Sequence, residues 1–560
     1  MDSILAKKYK ISLGIIFLVF ILIRFFGINL PLHQDEYKWP MITNPLTTPP
    51  GGIPHPPLSE FIYRNAGRII GFDNFRLVPL FFSVLNIFLI FYLLKLIEGP
   101  RTGIIVISLF ALSFYSVLAS LMVDVDGAIM PFFFLLMFWG YYKLRDQGYA
   151  LERKNLIWLF LVVIGALGGF FIKLSGILPF FAIVFDFLIE RQVFKDRKRL
   201  LKYFIYIFFI LCLFAVLLVL SKFIFPYFRL DWAFKYWEHF FKLSGRGWLQ
   251  TFIQFIKSIF YLSPLLILPI IFITKDIWVR LRPFFLFIII GLIFYLFAFD
   301  FSTGALDRYF QFLIIPLCVI TGTVLGSYIY NLAQLFRENK IFFLVSFIVL
   351  AVIFSLQFIN HYVPPLYPKT EWINRVLSLR WNFLFPFTGG SGPLGFYISF
   401  LFMALIWIVL GVFALISFFK KEFRQRVVFL ILIFGLLYNG VFIEEYLFGN
   451  INGSAPKLVK DVVEFIRENK NIRSIIVYND NGGWNVRQTG KYQRRMYAVP
   501  QFENEYEKIL NSFSGYILVV DIPQIASGSF YKKYLDSCVI IYDKQDKKIS
   551  AKVYDCQKGD

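Results

Sequence analysis

Apolar runs long enough to cross a bilayer as helices recur along most of this chain. About thirteen segments qualify by length. They are Ile11–Leu30, Phe75–Ile97, Thr102–Met122, Gly127–Tyr142, Asn155–Ile172, Leu174–Ile189, Leu201–Phe225, Thr251–Thr274, Pro283–Phe299, Tyr309–Tyr330, Ile341–Phe358, Phe396–Phe419 and Val427–Phe448. The fourth and sixth are short, and such segments cover part of a bilayer beside a water-filled cavity or cross it with little tilt. The pattern changes in the connections. Pro57–Gly71 spaces Leu58, Phe61, Ile62, Ile69 and Ile70 along one helical edge and Glu60, Arg64 and Arg68 along the other. That is an amphipathic helix suited to lie in the membrane interface. Pro226–Gln250 is similarly aromatic and basic, and His361–Gly395 forms a third long connection. From about Asn450 a helix-like "KLVKDVVEFIREN" is followed by strand-like "SIIVY", "YILVVD" and "CVIIYD", which predicts a small α/β domain over residues 450–560. No internal repeat is visible.

Composition agrees with a membrane protein. Of 560 residues, 58% are hydrophobic and 20% aromatic, too little polar surface for a soluble chain of this length. The predicted fold is therefore a polytopic α-helical membrane protein with a helical portion over residues 1–449. The basic start (Lys7, Lys8, Lys10) resembles a signal peptide, but the following apolar run is too long and lacks a cleavage site, so it reads as a retained first span.

A formal net charge of +21 would suit nucleic-acid binding. The distribution speaks against it. Lys95/Arg101, Lys143/Arg145/Arg153/Lys154, the Arg191–Lys202 patch, Lys275/Arg280/Arg282, Arg337/Lys340 and Lys420/Lys421/Arg424/Arg426 all fall in alternate loops. The positive-inside bias then puts those loops and the N-terminus in the cytoplasm, with the C-terminal domain outside. Cys212 and Cys318 lie within apolar runs and read as packing residues, while Cys538 and Cys556 could pair in an oxidising compartment. "YNDNGGW" reads as a plain turn, and Asn452-Gly453-Ser454 fits a short glycosylation pattern.

The chemistry-bearing residues crowd the outer face. "LHQDEYKWP" places His33, Asp35 and Glu36 just beyond the first span. The acid pair is either a solvated loop feature or a general base at the membrane surface. Asp124 and Asp126, in "LMVDVDGAIM", occupy a very short connection, and acids at that depth usually face a cavity. A divalent metal held by His33, Asp35 and Asp126 is an open alternative, although no ligand spacing is diagnostic. His55 precedes a stiff Pro56-Pro57 turn. Outer cations (Arg64, Arg68, Lys235, Lys242, Arg246, Arg308, Lys369, Arg375, Arg380) break the charge rule, and lipid headgroups explain most of them. Arg308, opening a span in "DRYFQFLIIP", and Lys173, in "FIKLSG", are better placed to face the acids and receive a phosphate-bearing lipid.

Together these residues resemble the GT-C membrane glycosyltransferases, in the branch of protein O-mannosyltransferases and the aminoarabinose transferase of lipid A. The shared pattern is an acidic motif in the first outer loop (Asp35-Glu36) and a Pro-Pro-Leu opening an interfacial helix after His55. An Asp follows the third span (Asp126, with Asp124), then a Lys after the fifth (Lys173) and Arg308-Tyr309 with the later Pro316. The motifs cover about the first 330 residues; beyond them only the thirteen-span layout with an external C-terminal domain is similar. Some relatives carry Lys where this chain has His55. The resemblance implies transfer of a sugar from a polyprenyl-phosphate donor to a lipid, glycan or protein acceptor at the extracytoplasmic face of a plasma or inner membrane. It implies Asp35, Asp126 and Glu36 as catalytic residues. Substrate binding would fall to His55, Asp124, Lys173, Arg246, Arg308, Tyr309 and Arg64. Two rivals remain: a transporter or flippase, which should show paired repeats and mid-bilayer charges, and a non-catalytic relative of the same fold.

Overall fold

A computed structural model describes residues 3–43, 55–150, 152–241, 247–300, 306–329, 335, 337–388, 393–497, 499 and 502–557. The chain forms two compact units: Met1–Ile28, Lys38–Leu332 and Ile416–Leu432 make the first, and Asn29–Tyr37, Ala333–Leu415 and Ile433–Asp560 the second.

A helix occupies each of the segments predicted to span. Among the described residues nine helices are long and apolar enough to cross a membrane, or ten if one bent pair counts as a single span. The two short segments are also helical. Ile129–Asp146 begins only after an irregular turn, and Leu178–Glu190 follows the 3-10 turn Leu174–Ile177. Pro57–Ile70 is the expected amphipathic helix, with Phe61 and Ile69 exposed while Ser59, Glu60, Tyr63 and Gly67 are buried. Its apolar edge faces outward and part of its polar edge inward, as suits a helix whose surroundings are lipid.

The bent pair is the first irregularity that shapes the site. Pro100–Leu112 and Phe114–Leu121 are inclined by 68° at Ser113, whose extended backbone ends the first helix. A break leaves helix carbonyls without amide partners, which is costly in an apolar setting. The buried Arg24 answers this need. It donates to Ala111 O at 3.1 Å, to Ser120 Oγ at 2.9 Å, to Ser116 Oγ at 3.1 Å and back to Phe20 O at 3.2 Å. A cation also suits the negative end of the Pro100–Leu112 helix dipole.

The second unit contains an antiparallel pair, β1 (Leu384–Phe387) and β2 (Phe396–Ser399). This corrects the expected span Phe396–Phe419, since its helix starts at Phe400. The four preceding residues form a fully buried strand, and a short apolar run looks the same for strand and helix. The C-terminal portion is a five-stranded sheet of order β4-β3-β5-β7-β6: β3 (Ile475–Tyr478), β4 (Tyr492–Met496), β5 (Tyr516–Val520), β6 (Val539–Asp546) and β7 (Ile549–Asp555). β4, β3 and β5 run parallel; β7 is antiparallel to both β5 and β6. Helix Ala455–Glu468 buries Leu458, Val459, Val462 and Ile466 against Ile475, Val477, Leu518 and Val553. Tyr506, Leu510 and Leu535 cover Ile476, Ile517 and Val519 on the other face. Cys538 and Cys556 are disulfide-bonded, Cys318 is buried, and Cys212 lies exposed on its helix rather than packed. Asn452 is not available as a glycosylation acceptor in this fold, because it is buried and its amide donates to Tyr397 O at 3.0 Å.

Arg24→Met should lower stability by about 2–3 kcal/mol, since hydrogen bonds from a charged donor would be lost and the Ala111 carbonyl left buried. Thermal unfolding of purified protein in detergent reads this, and an unchanged midpoint would show that the break does not depend on Arg24.

Candidate active site

Within the first unit, three irregular backbone points bring acids and bases together. The irregular connection between Leu121 and Ile129 carries Asp124 and Asp126. Its ends are pegged by Arg76, which donates to Leu121 O, and by Asn86 Nδ2, which donates to Ala128 O at 2.9 Å. Gly127 is needed there, because a Cβ would stand 2.3 Å from Gln311 Oε1 and 2.8 Å from the Ala119 Cβ. The second point is the end of helix Leu156–Ile172, where Lys173 turns extended. Gly169 and Gly176 meet closely across that turn, with a Cβ on Gly176 falling 2.0 Å from Gly169 O. The third is the short helical turn Leu306–Tyr309, which carries Arg308.

Lys173 Nζ donates to both Asp126 oxygens at 2.8 Å. Arg308 Nε donates to Asp126 Oδ2 at 3.2 Å and also pairs with Asp124 Oδ2. Asp124 further accepts from the Val125 amide at 2.7 Å, and Tyr63 donates to the Asp124 carbonyl at 2.9 Å. All four charged residues are buried, at most 9% exposed, so each charge must be held by the others. Tyr309 forms a wall: Lys173 Nζ lies 4.1 Å from its ring centre and the Arg308 guanidinium 5.0 Å, both favourable cation–π distances. Tyr309 and Tyr236 bring their hydroxyls within 3.4 Å. His55 stacks against Trp39, which in turn stacks on Tyr63.

Positive charge exceeds negative here. Burial pushes the Asp124 carboxyl upward, but Arg308, then Lys38 and Lys173, outweigh it and hold it below its ordinary value. Burial lowers His55, and Lys38, Arg308 and Lys173 lower it further, so the imidazole stays neutral. Burial also draws the Lys173 ammonium down to about 8 against the pull of Asp126.

The structure thus joins Asp124, Asp126, Lys173, Arg308 and Tyr309, with His55 beside them. Arg64 is engaged elsewhere: it pairs with Glu60 and lies 5.1 Å from the Tyr227 ring. Arg246 lies outside the described residues. His33, Asp35 and Glu36 belong to the second unit, in the 3-10 turn Gln34–Glu36. There the Glu36 carboxylate accepts the His33 amide at 2.9 Å and closes the turn, while Asp35 is only half-buried. Among the described residues, no three His, Cys, Asp or Glu side chains are grouped to hold a metal. Asp126 already takes bonds from two cations, a poor fit to a metal ligand. Sequence reasoning passed over Lys38, because one lysine beside an acid pair looks like charge balance. It also passed over Tyr63, Trp39 and Tyr236, whose aromatic character is indistinguishable from packing.

Residues 54–221 match the family model of the dolichyl-phosphate-mannose-protein mannosyltransferases. That match covers under a third of the chain, and beyond it the likeness to solved structures is one of fold. Among solved structures it is similar to ArnT from Cupriavidus metallidurans bound to undecaprenyl phosphate, at 13% identity and a TM-score of 0.51, over 96% of this chain and 97% of that one. The oligosaccharyltransferase AglB from Archaeoglobus fulgidus, in complex with an inhibitory peptide and a dolichol-phosphate, aligns at 12% identity and a TM-score of 0.38, over 92% of this chain and 70% of that one. No curated protein sequence matches the chain.

Lys173→Met should destabilise the protein by about 3 kcal/mol, because Asp126 would lose one of its two cations. Adding Asp126→Leu should recover part of that loss. Unfolding midpoints of the single and double variants measure the coupling, and additive losses would show that the pair is not energetically linked.

Proposed function

We propose that this chain transfers a sugar from a polyprenyl-phosphate donor to a hydroxyl or amine acceptor at the extracytoplasmic face, by direct displacement with inversion. The observation that carries this reading is the excess of cations, Lys173, Arg308 and Lys38, around two buried carboxylates at the head of a bundle whose flanks are lipid-compatible. A polyprenyl chain requires a lipid-facing bundle, and a departing phosphate requires fixed positive charge where its own charge develops. The undecaprenyl phosphate in the similar ArnT structure supports the same donor class.

In the reaction, the anomeric C–O bond to phosphate breaks and the phosphate leaves with the electron pair. The acceptor heteroatom attacks from the opposite face and gives its proton to a carboxylate. Asp126 has its carboxylate oxygens bonded to Lys173 and Arg308, and its role is to hold those cations in place. Glu36 closes a turn. Asp35 is left as the preferred base, with Asp124 orienting Arg308 and Tyr309 walling the phosphate.

Membrane vesicles charged with their own lipid-linked sugars provide the assay: free polyprenyl phosphate released with time, read by mass spectrometry. Asp35→Asn should reduce release about a thousandfold at wild-type protein level; undiminished release would remove Asp35 from the chemistry. Release should also decline as pH rises through about 8, where the Lys173 ammonium loses its proton. Lys173→Arg, which stays charged, should move that decline to higher pH or abolish it. A decline identical in both proteins would assign it to another group.

A further inference from the structure

The acidic loop is built into the same unit as the C-terminal sheet. Residues Asn29–Tyr37 group with Ile433–Asp560, whereas Met1–Ile28 and Lys38–Leu332 belong to the other unit. The connection is specific. Tyr37 Oη donates to Asp480 Oδ2, and its ring stacks on Trp484 at 5.9 Å. The Arg487 guanidinium lies 5.3 Å from the Tyr37 ring and 3.7 Å from that of Tyr492. Tyr492 adds a hydrogen bond to Asp480 Oδ1 at 3.3 Å. One turn earlier, Gln34 Nε2 donates to Asn479 O at 3.0 Å.

The backbone on both sides is unusual. Gln34 has φ 40°, Asn479 49° and Asp480 57°, left-handed values at three residues that are not glycine. Such conformations persist only where surrounding contacts fix them. On the domain side the fixing is dense: Asn481 Nδ2 donates to Val520 O at 3.0 Å and to Ile522 O at 2.8 Å, and the Asn479 amide donates to Met496 O. Asp480 and Asn481 are both buried. The "YNDNGGW" segment is therefore more than the plain turn expected from its sequence. It is a rigid socket at the end of β3, and Gln34 and Tyr37 grip it on either side of Asp35 and Glu36.

We propose that the C-terminal domain positions the acid of the first loop, with Asp480, Asn479 and Trp484 as positioning residues acting through Tyr37 and Gln34. The proposal rests on the reading of Asp35 as the base. A carboxylate displaced by about an ångström loses much of its rate advantage without any loss of donor binding. The latch is thus expected in kcat rather than in KM.

The test uses the full chain in lipid vesicles carrying lipid-linked sugars. Asp480→Ala should raise amide hydrogen exchange in residues 29–37 at least about tenfold while exchange in the β3–β5 core stays as in wild type. It should lower kcat for release of polyprenyl phosphate about tenfold, with KM for the lipid-linked donor within about twofold. Tyr37→Phe removes one hydroxyl and keeps the ring stack. It should give a smaller change of the same sign, and it serves if Asp480→Ala does not fold. Unchanged exchange in 29–37 overturns the latch. Raised exchange with unchanged kcat overturns its positioning role. Full activity of Asp35→Asn, with exchange in 29–37 still governed by Asp480, would instead refute the base assignment alone.

Discussion

The structure of the first unit turns on the requirement that a buried carboxylate be neutralised. Asp126 is fully buried, and the Coulombic gain from two cations must offset the loss of hydration of all three groups. That requirement ties together points far apart in sequence. The turn after the third apolar segment, the end of the fifth and the start of the tenth must all reach one place. Helices that simply crossed and stopped would not do this, so the backbone breaks or turns sharply at each point. The glycines at 127, 169 and 176 then allow those irregular segments to approach closely.

Irregular backbone in an apolar setting has to be supplied with hydrogen-bond partners. The chain does so with side chains. Arg24 serves the Ala111 carbonyl at the 68° bend, Arg76 and Asn86 hold the two ends of the acidic turn, and Tyr63 binds the Asp124 carbonyl. These residues are polar and buried, yet they are scaffolding for the charged cluster. The cluster itself retains more positive than negative charge. A site of that kind is ready for an anion, which is the electrostatic condition a phosphate leaving group needs.

The second unit solves a different problem. Its sheet has apolar cores on both faces, ordinary for an α/β domain with helices on either side of the sheet. Its less ordinary feature is the socket after β3, where a hydrogen-bonded turn of non-glycine left-handed residues receives Tyr37 and Gln34. A loop of nine residues, Asn29–Tyr37, cannot hold a strained backbone by itself. Contact with a folded domain can.

Apolar run length alone located a helix in every predicted segment, because crossing hydrocarbon imposes a length and a composition that neighbouring helices cannot override. The amphipathic Pro57–Ile70 helix and the strands around Ile475, Tyr516 and Val539 were legible for the same reason: periodicity is local. So were Asp126, Lys173 and Arg308, since charges beside apolar runs stand out. What sequence could not supply was discrimination among like residues. Phe396–Ser399 reads as the start of a helix until its partner strand is seen. Asn452 reads as an accessible acceptor until Tyr397 covers it. Glu36 and Asp35 are equivalent as letters, and only the turn geometry assigns one to capping. Lys38 and Arg64 likewise differ only in whether they approach Asp124 or an acid on their own helix. Run length and periodicity are properties of neighbours along the chain, whereas pairing and burial are set by which residues the fold brings together.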